Sequence, residues 1–367
     1  MHIGIDGNEA NVEQHVGVSV YTLKLLEYFQ KQAAAELFFT VYLRTEPLAS
    51  MPTPTDFFKY EVVKGPALWR QVIFPLYLSF HKKPDVFFAP AHYAPAGYKD
   101  PLVVTLHDLS YFYYPNEFLV KDLYKLKNWT EEAVKTAKKV IAVSKTTKKD
   151  ILKFYSVPEE KVKVVYNGFE KKLPENLDNS VILNQFNIER GKYLLYVGTI
   201  QPRKNISVLI RALPLISQVA PDMKLVITGK KGWMYESIIK EAQQNNMADK
   251  IIFTDFVTDD QLSVLYQDAF SFVQPSFYEG FGIPILEAMA NNCPVIASIH
   301  ASLPEIGGEA CLYFDPDEAE ELVERFKELY LNENKRTDLI EKGTKRITYF
   351  SWDSCGKETL EVLKSAL

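Results

Sequence analysis

The stretch SFVQPSFYEGFGIPILEAM, residues 271–289, decides the fold of this chain. It starts with the apolar run Ser271–Val273, and after Gly280 and Gly282 we expect a helix to begin near Pro284, because proline suits the first helical position. A strand that leads through a glycine-containing loop into a helix predicts a βα unit of a parallel sheet. Backbone N–H groups at such a helix start can bind an anion or sugar hydroxyls, since glycines leave them accessible.

Two carboxylates frame this loop. Glu279 directly precedes Gly280, and Glu287 follows one turn into the predicted helix, so both side chains can face one ligand. Surface acids at this spacing are common, but a pair that frames a Gly-x-Gly helix start is far rarer. The loop is therefore the first candidate binding site of the chain.

The same alternation of short apolar runs and amphipathic stretches continues along the whole sequence. Uninterrupted apolar runs of this length are typical of strands buried on both faces, as in parallel sheets. The runs are Ile3–Ile5, Leu37–Leu43, Val86–Ala89, Leu102–Leu106, Val140–Val143, Tyr193–Val197, Leu225–Thr228, Ile251–Phe253, Ser271–Val273 and Pro294–Ala297. Helices are predicted over 18–30, 119–139, 206–219, 235–245, 260–268 and 284–291. The pattern predicts two doubly wound α/β sheets with a cleft between them.

The boundary between the sheets is predicted after Val162–Gly168, an apolar strand that ends in Asn-Gly and is followed by the polar residues 170–172. We therefore expect one domain over 1–170 and another over 171–350. Ligands of open α/β sheets bind at the carboxyl ends of the strands, where the strand order reverses. The loops after the strands are thus the expected place of the chemistry.

Length and composition limit the class of protein. The chain has 367 residues, 47% apolar and 24% charged, with 16 glycines and 20 prolines, a length that suits two domains and a balance that excludes disorder, collagen and a coiled coil. Three cysteines without C-x-x-C spacing indicate a reducing compartment rather than disulfides or a thiolate metal site. The first residues read as a strand rather than a signal peptide, and no apolar run approaches the roughly 18 residues of a membrane span.

The charge differs between the two halves. Residues 1–172 contain 23 basic and 19 acidic residues, whereas the rest contains 19 basic and 28 acidic residues. The basic excess lies in 121–172, where 14 lysines accompany seven acids and no arginine, a pattern that attracts phosphates or an anionic lipid surface. A solvated helix face is the alternative interpretation. Nucleic acid is not the expected partner, because the patch lacks arginine and the pI is near 5.8.

A further feature of the first half is the apolar and aromatic stretch WRQVIFPLYLSFHKK, residues 69–83, which ends in a basic pair. A core helix and a surface that faces an acceptor or a membrane both fit this pattern. Together with the lysines of 121–172, it gives the hypothesis that the first domain docks on an anionic bilayer to reach a lipid-linked acceptor.

The glycine loop carries a family resemblance. Glu279 and Glu287 with Gly-Phe-Gly-x-Pro between them resemble the E-x7-E signature of the group 1, family 4 retaining glycosyltransferases of GT-B fold. The resemblance covers essentially the whole chain and includes YVGTIQPRKN, PS, EAMA and SLPE, which begin at residues 196, 275, 287 and 302. It implies two Rossmann-like doubly wound domains that face across a cleft, an acceptor-binding one over 1–170 and a nucleotide-sugar-binding one over 171–350, with a helix in 351–367 that crosses back to the first.

The resemblance also implies a donor site in the second domain. Arg203 and Lys204 would stabilise the pyrophosphate that leaves when a nucleoside diphosphate sugar is cleaved, since fixed cations favour that transition state. Thr199 stands where the family often has another arginine, so we expect phosphate recognition to depend on Arg203 and Lys204. Glu279 would contact sugar hydroxyls and stabilise the developing positive charge, and Glu287 would hold the ribose hydroxyls. The predicted donor loop is completed by Gly280, Phe281, Gly282 and Ile283.

In the first domain the resemblance implies further ligand contacts. His107 follows a buried strand and resembles the histidine of the family's active-site His-Asp pair, which hydrogen-bonds a sugar. Asp108 belongs to that pair or caps a turn. Ser144 lies at the next strand end, and Gly17 takes the place of the family's Gly-Gly-x-Gly loop, whose first two glycines are replaced in this chain.

Other patterns do not predict a site. Asp315-Pro316-Asp317 has the D-x-D form of the metal motif of another glycosyltransferase fold, but it precedes a helical stretch, and a helix cap is the preferred interpretation. The resemblance implies that no metal ion or other cofactor is needed. The sequence also lacks G-x-x-x-x-G-K-[ST], a G-x-G-x-x-G after the first strand, and H-E-x-x-H.

The sequence therefore predicts a GT-B enzyme that transfers a hexose, with retention, from a nucleoside diphosphate sugar to a glycan or lipid-linked acceptor. GDP-mannose is the first expected donor, because the Gly-Thr-x-x-Pro-Arg-Lys-Asn loop resembles that of mannosyltransferases of bacterial surface polysaccharide pathways, and a UDP-sugar is the next. A sugar-nucleotide epimerase and a non-catalytic glycan-binding protein are the alternatives. We expect the protein in the cytoplasm, with a peripheral contact at the inner face of the membrane.

Overall fold

The chain folds into two compact units in a computed structural model that describes residues 1–65, 68–171 and 178–367. The first unit is formed by Met1–Pro115, Leu119–Gly168 and Phe350–Leu367. The second is formed by Asn116–Phe118 and Phe169–Tyr349. The chain thus leaves the first unit after Gly168 and returns to it at Phe350.

The strands form two sheets, one in each unit, and within each sheet the neighbouring strands run parallel. They are β1 (His2–Asp6), β2 (Phe38–Leu43), β3 (Phe58–Val62), β4 (Val86–Ala89), β5 (Leu102–Leu106), β6 (Lys139–Ala142), β7 (Val162–Val164), β8 (Tyr193–Val197), β9 (Lys224–Thr228), β10 (Ile251–Asp255), β11 (Ser271–Gln274), β12 (Val295–Ser298) and β13 (Cys311–Phe314).

The helices alternate with these strands along most of the chain. They are α1 (Val18–Gln32), α2 (Phe74–Phe80), α3 (Ser110–Tyr113), α4 (Val120–Thr136), α5 (Lys145–Tyr155), α6 (Asn179–Gln185), α7 (Ile206–Ser217), α8 (Tyr235–Gln244), α9 (Asp259–Asp268), α10 (Ile283–Ala290), α11 (Leu303–Gly307), α12 (Ala319–Tyr330), α13 (Glu333–Ile347) and α14 (Trp352–Lys364). Within the described ranges, none of these helices has both the length and the apolar character that crossing a bilayer requires.

The first sheet has the strand order β3-β2-β1-β4-β5-β6-β7. Its central strands β1, β4 and β5 are buried at every position, which follows from helices covering both faces of a parallel sheet. The order reverses between β1 and β4, so this unit has its switch point there. Helix α14 adds Cys355 and Leu363 to the same hydrophobic core as Ile3 and Phe88.

The second sheet has the order β10-β9-β8-β11-β12-β13, and its switch point lies between β8 and β11. Helix α7 packs against it with Ile206, Leu209 and Leu213, which are each at most 2% exposed. The two doubly wound parallel sheets confirm the predicted α/β fold class.

The structure corrects several predicted elements. The predicted runs omit β3, whose burial alternates along Phe58–Val62 instead of being continuous, and β13. The helix predicted over 119–139 ends at Thr136, because Lys139 already belongs to β6. The helix cap predicted for Asp315-Pro316-Asp317 is wrong: α12 follows Glu318 without a side-chain cap, and Asp315 instead accepts a hydrogen bond from the backbone N–H of Asp317 within a turn.

Candidate active site

Two loops meet at the switch point of the second sheet. The short 3-10 helix Pro202–Lys204 follows β8, and the glycine loop 275–282 follows β11. The backbone N–H of Phe277 donates to the carbonyl of Arg203 at 3.0 Å, and Nη1 of Arg203 donates to the carbonyl of Tyr278 at 2.9 Å. These bonds hold the cationic loop against the glycine loop.

An ion pair joins the ends of the two loops. Nζ of Lys204 lies 2.6 Å from Oε1 and 2.8 Å from Oε2 of Glu279. The two side chains are only 16% and 12% exposed. A pair so shielded from water is held more firmly than a surface ion pair, whose contribution solvent screening reduces.

Two neutral side chains complete the contacts of the Glu279 carboxylate. The hydroxyl of Ser276 donates to Oε1 at 2.7 Å, and the amide of Gln274 donates to the same oxygen at 2.8 Å. Both residues are at most 2% exposed. The sequence analysis did not identify either as a site residue, although a polar residue at the buried carboxyl end of β11 was a usable signal.

The environment of Glu279 keeps it ionised. Burial alone raises the pKa of this carboxyl, but the nearby cations of Lys204 and Arg203 and the donated hydrogen bonds outweigh burial and lower the pKa below its usual value. A permanent negative charge is therefore fixed at the end of β11.

Glu287, the second carboxylate of the motif, lies in α10 and accepts a hydrogen bond from the Tyr266 hydroxyl at 3.0 Å. Tyr266 belongs to α9 and is 1% exposed. Burial, followed by the negative charge of Glu287, raises the pKa of Tyr266 well above its usual value, so the phenol stays protonated and can donate. Sequence reasoning missed Tyr266, because α9 is distant from the motif along the chain.

The glycine loop ends in a backbone conformation that only glycine adopts readily. Gly282 has φ of +110°, and a Cβ at this position would lie 2.9 Å from a methyl group of Leu303. Among the described residues, no side chain caps the helix α10 that Gly282 begins. Pro284 has no N–H and the N–H of Ile285 donates to the Gly282 carbonyl at 3.1 Å, so an anion at this helix start would depend on the N–H groups that precede Pro284. The hydroxyl oxygen of Ser302 lies 2.8 Å from the carbonyl oxygens of both Glu279 and Phe281, and its single hydrogen holds the loop by donating to one or shared between the two.

The remaining predicted donor residues lie on the same two loops. Thr199 is exposed, and its carbonyl accepts a hydrogen bond from the Tyr196 hydroxyl at 3.1 Å. Gly280 is buried, and Ile283 is half-buried in the first turn of α10. The backbone N–H of Arg203 donates at 3.0 Å to Glu117, an acid on the short segment that groups with the second unit.

His107, in the first unit, follows β5, and its Nε2 lies 2.8 Å from the carbonyl of Pro90. A carbonyl only accepts, so Nε2 carries the hydrogen and Nδ1 of the neutral ring is an acceptor. Burial, with a smaller effect of His92, lowers the pKa of His107 to about 4. The imidazole is therefore neutral at pH 7.

Gly17 and His107 share a neighbour that the sequence analysis did not identify. Gly17 precedes α1 with φ of +53°, and its carbonyl accepts from the backbone N–H of Tyr21 at 3.1 Å. The Tyr21 ring in turn contacts the His107 ring edge to face, with ring centres 4.8 Å apart. Space around Gly17 is open, because a Cβ there would meet nothing within 4 Å.

Asp108 and Ser144 have local structural contacts. Asp108 accepts from the backbone N–H and the hydroxyl of Ser110, at 3.1 and 2.9 Å, which is the turn-capping arrangement. Ser144 is fully buried and caps α5 by accepting from the backbone N–H of Thr147 at 3.0 Å. Neither contact tests a ligand role, so the assignment of Ser144 to substrate binding stays a prediction.

No cluster of three or more metal-ligating His, Cys, Asp or Glu side chains is found in the part of the chain that the structure describes. The two loops at the switch point of the second sheet carry two cations, a glycine-led helix start and two positioned carboxylates. Two Rossmann-like sheets, one with these side chains at its switch point, are the arrangement that the sequence analysis expects of a GT-B glycosyltransferase.

Comparison with known proteins gives the family. The description "Glycosyltransferase Family 4" matches residues 16–172, and "Glycosyl transferases group 1" matches residues 179–346. The chain belongs to this group 1, family 4 family of glycosyltransferases and has its GT-B fold, which confirms the resemblance noted in the sequence. It is accordingly an enzyme of the glycosyltransferase class.

Two curated relatives are bacterial mannosyltransferases. The chain is 29% identical over 286 residues to O-antigen chain mannosyltransferase B of Escherichia coli, which covers 77% of this chain and 74% of that protein. It is 31% identical over 251 residues to O-antigen chain mannosyltransferase RfbU of Salmonella typhimurium, which covers 68% of this chain and 66% of that protein. Among solved structures, HepE of Anabaena superposes with a TM-score of 0.75 at 19% identity over 99% of both chains.

Proposed function

We propose that this glycosyltransferase transfers mannose, with retention, from GDP-mannose to a glycan or lipid-linked saccharide in surface polysaccharide synthesis. The observation that carries the proposal is the network in which Lys204, Ser276 and Gln274 fix the ionised Glu279 beside Arg203. Such a fixed arrangement of opposite charges suits a reaction in which a sugar becomes positive while a diphosphate leaves.

The names of the relatives support mannose as the sugar. Both curated relatives are named O-antigen chain mannosyltransferases, and an α-(1→4)-mannosyltransferase of Mycolicibacterium hassiacum is 26% identical over 255 residues. Sugar specificity depends on a few side chains and changes more readily than the fold, so mannose is the first of two candidates.

A UDP-sugar is the second candidate donor. HepE, whose fold this chain shares, was solved with UDP and glucose. We place the base near residues 255–257, where the aromatic ring of Phe256 is 61% exposed and Nζ of Lys230 lies 5.1 Å from its centre. An aromatic ring with a cation on it can stack on a purine or a pyrimidine, so this surface does not favour either base.

The proposed step breaks the bond between C1 of the donor sugar and the diphosphate oxygen. The acceptor oxygen bonds to C1 on the same face, and its proton passes to the departing phosphate oxygen. Arg203 and Lys204 stabilise the charge that the diphosphate gains, while Glu279 contacts the sugar and stabilises its transient positive charge. Glu287, oriented by Tyr266, binds the ribose hydroxyls.

His107 has a limited role in this proposal. Its imidazole is neutral and its Nε2 is engaged by Pro90, so it accepts a hydrogen bond from a sugar hydroxyl through Nδ1 and does not act as a proton donor. Gly17 leaves space for the ligand, and the proposal requires no metal ion. We further propose that the acceptor is lipid-linked and that the enzyme works at the cytoplasmic face of a membrane.

Thermal-shift measurements with GDP-mannose, UDP-glucose and ADP-glucose test the donor. A ligand that binds the native state raises the unfolding temperature by an amount that grows with the logarithm of its concentration divided by its Kd, so at equal concentrations we expect the largest shift with GDP-mannose. A larger shift with UDP-glucose would select the second candidate. The same shifts should be lost in Lys204→Ala and kept in Lys192→Ala, an exposed lysine that also pairs with a glutamate.

Incubation of the selected donor with and without an acceptor separates the remaining alternatives. A glycosyltransferase releases nucleoside diphosphate and extends the acceptor. Conversion of the donor into another sugar nucleotide without an acceptor would identify an epimerase. The absence of donor binding throughout the panel would leave a glycan-binding protein.

A further inference from the structure

The segment 68–80 of the first unit carries an apolar face that the described part of the chain leaves exposed. It begins at Leu68, continues as one π-helical turn over Trp69–Ile73, and ends with α2. Leu68, Val72, Leu76 and Phe80 are 55%, 52%, 57% and 81% exposed. We call these four residues the apolar stripe.

The spacing of the stripe makes it one continuous face. Its members are four residues apart. Val72, Leu76 and Phe80 lie on successive helical turns of the same side, and Leu68 directly precedes the first turn. The opposite side is buried through Trp69, Phe74 and Leu78, each at most 2% exposed. A helix that packs on one side of a soluble domain normally presents polar residues on the other side, and this helix presents large apolar ones.

The buried side holds the stripe rigidly in place. The Trp69 and Phe74 rings stack with their centres 4.3 Å apart, and the indole N–H of Trp69 donates to the carbonyl of Val63 at 2.7 Å. Arg70, on the same turn, is fixed by Asp6 at 2.5 Å and by Glu9 at 3.1 Å. The exposure of the stripe is therefore a property of a packed element and not of a loose terminus.

The charge of residues 68–83 themselves is positive, and α2 contacts the exposed acid Glu61, which accepts a hydrogen bond from the Tyr77 hydroxyl. No acidic residue occurs between Leu68 and Lys83, and the helix is followed by His81, Lys82 and Lys83, all exposed. Lys83 pairs with Asp100 at 2.8 Å, where both side chains remain more than a third exposed. At this exposure such a pair is weak, so the positive end of the stripe stays available to an anionic surface.

A second basic helix is a neighbour of this segment. Gln71 and Trp129 of α4 line the same small cavity, with Ala133 and Thr136. At the start of α4, the side chains of Val120 and Tyr124 are 85% and 62% exposed. Lys121 and Lys125 follow them directly in the sequence. Lys125 is 3.4 Å from Asp122. The second half of α4 thus lies next to the segment that carries the apolar stripe, and the lysines of α4 belong to the same helix.

We propose that the apolar stripe inserts into the headgroup region of an anionic lipid bilayer, with Lys82 and the α4 lysines on the phosphates. Exposed large apolar side chains on a segment that contains lysines and no acidic residue match what an interfacial helix needs: apolar area to bury and positive charge to attract anionic lipid. The inference rests on the proposed function only in that a lipid-linked acceptor would lie in that bilayer.

Sedimentation of the full-length protein with vesicles tests this docking surface. Wild type should bind vesicles of phosphatidylcholine with phosphatidylglycerol, bind pure phosphatidylcholine weakly, and lose binding as salt increases. Leu76→Ser/Phe80→Ser should lower the partition coefficient at least about tenfold, from the loss of two large apolar side chains. Lys82→Glu should weaken binding to the anionic vesicles alone.

A matched control uses exposed apolar residues of the second unit. Leu331 and Tyr349 are 76% and 72% exposed, so Leu331→Ser/Tyr349→Ser removes a similar apolar area and should leave vesicle binding unchanged. The four sites are exposed, and unfolding temperatures close to wild type will show that the variants fold.

Three results would overturn the proposal. The first is that wild type does not bind anionic vesicles at low salt, and the second is that the stripe variant binds them as well as wild type does. The third is that wild type self-associates without vesicles and the stripe variant does not, which would assign the stripe to contact with a second copy of the chain. Transfer to a water-soluble acceptor is measured in parallel. A protein that binds vesicles but transfers no sugar contradicts the proposed function and leaves the docking surface intact.

Discussion

The predicted site residues at the carboxyl ends of the strands have different contacts in the two units. In the second unit, residues that are far apart in sequence contact each other directly through charged groups, as Lys204 does with Glu279. In the first unit, the predicted residues Gly17 and His107 are connected through the uncharged Tyr21, and Ser144 caps its own helix. The charged contact at the end of β1, in which Arg70 pairs with Asp6 at 2.5 Å, involves none of these predicted residues.

The difference indicates which predicted residues have a role beyond the fold. Burying a lysine and a glutamate costs desolvation free energy, and hydrophobic residues would stabilise the same position at least as well. Their presence at the switch point therefore favours a chemical role. A helix cap or a ring contact, by contrast, is explained by stability alone.

The largest effect is expected at the ion pair of the second unit. Lys204→Ala and Glu279→Ala should each lower kcat by about 100- to 1,000-fold, the usual range for removal of one preorganised charge or donor. Steady-state kinetics with the donor selected by thermal shift measures this. Lys192→Ala, in an exposed Lys–Glu pair, should be unaffected.

Because removal of one partner from a shielded pair also destabilises the fold, Glu279→Gln is the companion variant that keeps the shape and loses the charge. Circular dichroism and the unfolding temperature establish that each variant is folded. A folded Lys204→Ala protein with wild-type donor affinity and rate would refute the phosphate assignment.

The next effect is expected at Glu287. Glu287→Gln should raise the KM for the donor about tenfold, the size expected when a hydrogen bond to a charged group is weakened, with a smaller change in kcat. Tyr266→Phe removes only the hydroxyl that orients the carboxylate, so it should give a smaller change in the same direction. An effect of Glu287→Gln on kcat alone would assign Glu287 to the chemical step instead.

His107 should contribute to the pH dependence of stability. Its pKa is about 4 in the native state and about 6.5 when unfolded. Between these values the unfolded ring binds a proton that the native ring does not, so stability is lost as the pH falls from about 6.5 towards 4. His107→Gln should reduce the loss in unfolding free energy between pH 7 and 5 by about 1.5 kcal/mol.

Urea unfolding at the two pH values measures this difference. Below pH 5 the carboxylates titrate as well, so the comparison is made above that value. An unchanged pH dependence in His107→Gln would show that the native ring is protonated as readily as the unfolded one.

The smallest effect is expected at Ser144. Ser144→Ala removes the cap of α5 and should lower the unfolding free energy by about 1 kcal/mol. Thermal unfolding measures this, and donor kinetics on the same variant compare it with the second unit. A rise in donor KM as large as that of Glu287→Gln would mean that the cap also binds substrate.

The sequence predicted the parts of the fold that depend on short-range pattern. Continuous apolar runs identified both sheets, because strands such as β1 and β5 are buried on both faces. The search for continuous apolar runs missed β3, because Lys59 and Glu61 of this edge strand are exposed to solvent and interrupt the run. The turn formed by Asp315 was mistaken for a helix cap, since both use the same side-chain hydrogen bond to a backbone N–H.

The site was predictable where a motif brings its residues together within one βα unit. Glu279, Gly282 and Glu287 follow from the spacing of a single loop and helix. Tyr266 and Gln274 have no such signal, because their partners are chosen by packing between elements that are not consecutive in the chain.

The sequence by itself determined the α/β class, the family and the order of the catalytic loops, since these depend on periodicity and on residues close together along the chain. Only the tertiary structure decided that Lys204 pairs with Glu279, that Tyr266 orients Glu287 and that the stripe from Leu68 to Phe80 remains uncovered. The physical reason is that a contact between distant segments, or the lack of one, depends on strand order and helix packing, which local sequence does not encode.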